Sequence, residues 1–205
     1  MQFWTIQTLE AWERACEIGS LRASPLHVPA AYRSAYEWMA RQMAERIGPA
    51  PSGVEFPVWA WYQWGDSKHC KPDLRSSGHL LKGVEGVRLE FHVDSAHVLL
   101  SLFEEWHFVL NYWYLYPSID QSAYDPQDLE FDKALYDAGL SYYTTKPLLD
   151  LALHRQMEQS WERIFSVARQ NPSADLVSLS AAPVQATLWD VPTSSVTRVT
   201  FFTGR

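Results

Sequence analysis

The sequence predicts an α+β fold with mostly antiparallel strands. Short alternating stretches rich in β-formers are interleaved with amphipathic helical stretches, and no regular βαβ spacing recurs. The chain has 205 residues, 47% of them hydrophobic and 20% charged, which suits one packed core and a single domain over residues 1–205.

"QFWTIQ" (2–7) alternates as a first strand, with Trp4 and Ile6 on one side and Phe3, Thr5 and Gln7 on the other. "TLEAWERACEIGS" reads as a helix capped by Thr8 and stopped by Gly19, its stripe of Leu9, Trp12 and Cys16, with Ala15 a further candidate, making Cys16 a core thiol. Residues 30–47 form a second helix ending at Gly48, with Tyr32, Tyr36, Met39, Met43 and Ile47 on one face. Residues 57–64 form a strand on which parity sets Val58, Ala60, Tyr62 and Trp64 against Trp59, Trp61 and Gln63. Next comes a long polar loop over 65–86, of a length that usually carries function.

"VRLEFHV" (87–93) and "HVLLS" (97–101) are further strands. Ser101 and Glu104 have capping-box spacing for a helix through Leu110, which holds a partly buried His107. Residues 112–145 read as irregular, with one short helical turn near 129–137. A long helix runs from Pro147 to about Ala168, with Thr145 near its cap and Leu149, Leu153, Met157, Trp161 and Ile164 on its buried stripe. "NPSAD" ends it, and the tail reads as strand, turn at Pro192, strand.

The net charge of −7 argues against a broad nucleic-acid or anionic-membrane footprint, which needs clustered Lys and Arg. No apolar run reaches the ~20 residues of a bilayer span. Together with two cysteines in unlike settings, this fits a cytoplasmic protein with free thiols. His69, Cys70 and His79 lack zinc-ligand spacing, so no metal is expected. There is no G-x-S-x-G motif and no phosphate-cradling glycine pattern.

The distinctive feature is aromatic content, 14% with ten tryptophans. It concentrates in "WAWYQWGDSKHCKPDLR" (59–75), an aromatic strand leading into a proline-stiffened loop. Trp59, Trp61 and Gln63 form a candidate platform, since large rings serve cores and flat ligands alike. Lys71, Asp73 and Arg75 are candidate ligand-binding residues: the guanidinium fork suits phosphate or carboxylate, and Asp73 orients a cation. Against this stands a solvated loop with a local ion pair.

"FWTIQTLEAWE", "YEWMARQM", "WAWYQW", "KPDLR", "LEFHV", "WHFVLN", "SWERIF" and "VQATLWDVP" together resemble an uncharacterised bacterial domain-of-unknown-function family, which brings no activity with it. The layout of a first strand, a helix ending in "GSLRA", a central "LEFHVDSAHVLL" and a terminal "VQATLWDVPTSSVTRV" is also similar to the ADP-ribosyltransferase superfamily. That resemblance implies small sheets forming a cleft, flanked by helices, with NAD as substrate and no metal. It places Thr5 and Gln185 at the family's first-strand and late-strand catalytic positions. Both depart from the family's His or Arg and Glu, and glutamine cannot supply the negative charge that stabilises an oxocarbenium ion. Were the faces bearing Gln185, Thr5 and Gln7 to meet, they would form a polar floor. The implied function is binding, with processing in its stronger form, of NAD or a related nucleotide-like small molecule. The alternative is a non-catalytic binding module whose aromatic cleft holds a base, peptide or partner protein.

Overall fold

The computed structural model describes residues 1–65, 69–116, 126–141, 146–167 and 182–205. Its strands are β1 (Gln2–Thr8), β2 (Ser20–Leu21), β3 (Val58–Gln63), β4 (Glu85–His92), β5 (Leu99–Leu102), β6 (Val184–Leu188), β7 (Val191–Pro192) and β8 (Val196–Thr203). Six of them form one sheet in the order β5-β6-β3-β1-β4-β8, and β2 with β7 forms a short separate ribbon. Every pairing is antiparallel. The α+β class with antiparallel sheets and flanking helices therefore holds. The expected pair of small sheets is replaced by one broad sheet, because β1 and β3 join its two halves through the Trp4–Trp61 register.

The helices are α1 (Leu9–Ile18), α2 (Arg33–Ile47), α3 (Phe103–Asn111), α4 (Pro126–Asp137) and α5 (Leu151–Trp161). At α1 the Thr8 hydroxyl accepts from Ala11 N, and Gly19 closes the helix in the left-handed conformation that a glycine adopts without strain. α1 covers one face of the sheet, where Phe3, Val58, Ala60, Val87, Leu89, Phe91, Ala186 and Leu188 form a core with Ala15 and Leu21. Cys16 lies outside it and is exposed; Leu9 and Trp12 pack on the core as expected, and Ala15 rather than Cys16 takes the buried place beside them. α2, α3, α4 and α5 share a second core with Trp59, Leu99 and Trp189 on the opposite face.

Three expected helices have different boundaries, two of them because of their caps. Ser101 belongs to β5 and is buried there, and α3 starts after Leu102 without a side-chain cap, so the capping box does not form. α4 extends over twelve residues where a short turn was expected. α5 begins after Asp150, whose carboxylate accepts from Ala152 N and Leu153 N, a stronger cap than any that Pro147 could provide. Leu149 then precedes the helix and is 82% exposed. Thr145, Ala168 and "NPSAD" lie outside the described residues.

The second face is only half covered by helices. Over β1, β4 and β8 the covering is residues 69–84, anchored where Arg88 Nη1 donates to Pro72 O at 2.8 Å and where Lys71 faces Glu90 at 3.8 Å. Gly86 permits the close approach: a Cβ there would stand 2.2 Å from Leu80 Cδ1.

Candidate functional site

Between α3 and this covering segment the second face opens into a recess of about 420 Å³. Its rim and walls are mostly rings. Trp61 meets Trp64 edge-on with centroids 4.7 Å apart, and Trp61 meets Phe103 at 4.8 Å. Trp59 packs on Trp106 at 4.7 Å, Tyr36 closes on both, and His79 lies 5.0 Å from Trp64. Burial raises the Tyr36 hydroxyl above its ordinary pKa, so it remains a neutral phenol.

β-Alternation brings Trp59 and Trp61 to this face, together with Gln185, which pairs with Trp61 across the β3–β6 ladder. Trp64 arrives by another route. Simple parity groups it with Val58, Ala60 and Tyr62 on the α1 face, yet it stands beside Trp61. A bulge is the reason: β6 advances one residue, Gln185 to Val184, while β3 advances two, Trp61 to Gln63. The extra residue bends the strand and re-aims the side chains beyond it. Gln63 is consumed by the bulge, donating to Ala182 O at 2.9 Å and accepting from His69 N at 3.1 Å.

The other candidates are placed elsewhere. Thr5 and Gln7 face α1, on the opposite side of the sheet from Gln185, so the proposed polar floor does not form. Register decides this: Thr5 pairs with Leu89 and Gln7 with Val87, both α1-face core residues. Thr5 is spent on structure, its Oγ1 donating to Trp59 O at 2.7 Å and accepting from Gln7 Nε2 at 2.8 Å. Arg75 and Asp73 form an exposed bidentate pair at 2.7–3.1 Å. Hydrogen bonds from Arg75 hold the Asp73 carboxyl down to about 2. Neither residue lines the recess, nor does Lys71.

Phe103, Trp106 and His107 of α3 complete the recess, and the sequence signal for them was the aromatic density of "FEEWHF". His107 Nδ1 lies 3.1 Å from Phe103 O, and His79 Nε2 lies 2.9 Å from Asp73 O. Each ring therefore donates one N–H to a backbone carbonyl. Among the described residues no Asp, Glu, Lys, Arg or Cys lines the recess. Among the described residues no cluster of three His, Cys, Asp or Glu could hold a metal ion, and no helix is long and apolar enough to cross a membrane.

These features define an α+β protein with a broad antiparallel sheet and an aromatic recess on one face. The chain belongs to the DUF3841 family, a domain of unknown function, whose model matches residues 2–197. No curated protein and no solved structure matches it. The family match corrects the expectation of an ADP-ribosyltransferase-like, NAD-using protein: a different family accounts for the chain along nearly its whole length. The placement of Thr5 and Gln185 on opposite faces of the sheet agrees with that correction.

Proposed function

We propose that this protein is a non-catalytic binding module whose aromatic recess receives a planar group. The observation that carries the reading is the group of rings around the recess, with Trp61 and Trp64 only half-buried beside a void of about 420 Å³. Large rings left part-exposed around a concave space are what a flat ligand needs, and their stacking energy is available only once the space is filled. Among the described residues the lining also lacks a carboxylate, amine or thiol, the usual side chains for acid–base or nucleophilic work. Its two imidazoles are each tied to a backbone carbonyl.

The test compares the parent protein with Trp61→Ala by ligand-observed NMR, using small flat probes at millimolar concentration. Stacking on an aromatic side chain is worth about 1–3 kcal/mol, so the variant should bind roughly 5- to 150-fold more weakly while still unfolding cooperatively. Equal binding by both proteins would show that the probes sit elsewhere and would end this reading.

A further inference from the structure

The polar side chains that line the recess indicate what kind of ring it takes. Gln185 lines the recess and is 5% exposed, yet its Nε2 has no hydrogen-bond partner. Trp59 lines it too, and its indole Nε1 is likewise buried without a partner. A buried N–H that has lost its hydration without gaining an acceptor is unusual in a folded protein, and two beside one cavity call for a common explanation. The cross-strand neighbour of Gln185 does not relieve it: Ser101, opposite Gln185 in the β5–β6 register, keeps an unpartnered Oγ of its own.

Aromatic walls by themselves suit either a flat neutral ring or a cation held over ring faces. The polar groups distinguish the two. An indole N–H is a donor only, and the positive end of its dipole opposes a cation. No carboxylate of the described residues lines the recess to offset that. The overall charge of −7 attracts cations only over distances that salt screens within about 8 Å, so it does not select at the recess. A carbonyl oxygen, by contrast, has two lone pairs and accepts from an amide or an indole N–H. A turn of the Gln185 amide about its last torsion, a broad and roughly two-fold rotor, brings its N–H to such an oxygen.

Resting on the recess being a binding site, we propose that its ligand is an uncharged planar ring bearing a carbonyl acceptor, held by the amide of Gln185 and the indole N–H of Trp59. Filling the space between the rings supplies affinity, and pairing the two donors supplies selectivity. A ring lacking the acceptor would leave both donors buried and unpaired, which penalises it relative to the carbonyl ring.

Three probes of similar size separate the possibilities in calorimetric titrations: N-methyl-2-pyridone, toluene and N-methylpyridinium. Pyridone should bind about tenfold more tightly than toluene, with pyridinium weakest. Gln185→Met keeps the side-chain length and removes the amide, so it should remove most of the tenfold preference for pyridone over toluene. Trp59→Phe, which keeps a ring and removes the N–H, provides the same test should Gln185→Met fail to fold. Tightest binding by pyridinium, or equal binding of pyridone and toluene, would overturn the acceptor-ring assignment and leave the binding-module reading standing. Binding of none of the three would overturn both.

Discussion

The two faces of the central sheet are built from the same strands and end in different states. On the α1 face, Phe3, Leu89, Phe91, Ala186 and Leu188 close into an aliphatic and phenylalanine core, and the polar residues there satisfy each other, Gln7 with Thr5 and Thr5 with Trp59 O. On the other face, α2, α3 and α5 cover one end and residues 69–84 the other, with the recess between them. Among the described residues the buried side-chain atoms without partners are Trp4 Nε1, Trp59 Nε1, Arg88 Nε, Ser101 Oγ, Gln185 Nε2 and Thr200 Oγ1. Strand alternation and register put all of them on that second face. A stable core leaves few such groups, so the sheet carries its uncompensated polarity on the face with the recess. One side of the sheet holds the fold together; the other has unfilled bonding capacity.

The largest effect that would sharpen this contrast lies on the closed face. Phe91, fully buried against Phe3, should cost about 3–5 kcal/mol when cut to Ala, because transfer and cavity terms add. Trp61→Ala, removing a larger but half-buried ring, should cost clearly less in the same denaturant melts. Equal losses would mean that the recess face is as tightly packed as the other, and the contrast would fail.

A comparable loss is expected where residues 69–84 seal the second face. Glu90 and Arg88 are both buried, with Arg88 Nη2 donating to Glu90 Oε1 at 3.3 Å. Replacing Glu90 by Leu strands a buried guanidinium and should cost about 2–5 kcal/mol, whereas Arg88→Met with Glu90→Leu should recover most of that. Chemical denaturation of the single and double variants checks it. A double variant no better than the single would show that the pair contributes by anchoring Pro72 and Lys71 rather than by mutual neutralisation.

The smallest effect belongs to the exposed Asp73–Arg75 pair. Its carboxyl titrates at about 2, below the usual 3.8, because Arg75 hydrogen-bonds the charged form. A depressed folded-state pKa adds stability above pH ~4 that is lost as pH falls towards ~2. Both groups are solvent-exposed, so screening leaves little of it, and Asp73→Asn should move Tm at neutral pH by no more than about 1 °C. An NMR titration of Asp73 with a midpoint near 3.8 would remove the pairing altogether.

The recess was partly legible in the chain. Alternation along "WAWYQ" correctly put Trp59 and Trp61 on one side, and parity of "VQATLW" put Gln185 with Thr187, because two-residue periodicity is a local property of extended backbone. The strand spacing and the Thr8 and Gly19 boundaries of α1 were local too. Which sheet face each row joined was decided by pairing register, a contact between residues far apart in sequence. That register separated Thr5 and Gln7 from Gln185 and assigned Lys71 to Glu90 rather than to the recess. The bulge after Trp61 had no local signal, yet it moved Trp64 from the core side to the rim. The sequence alone thus determined periodicity, the ends of α1 and aromatic supply, because these depend on neighbours along the chain. Only the tertiary structure decided which rings share a cavity and which donors it leaves unpaired, because both depend on long-range register and on the segments that cover each face.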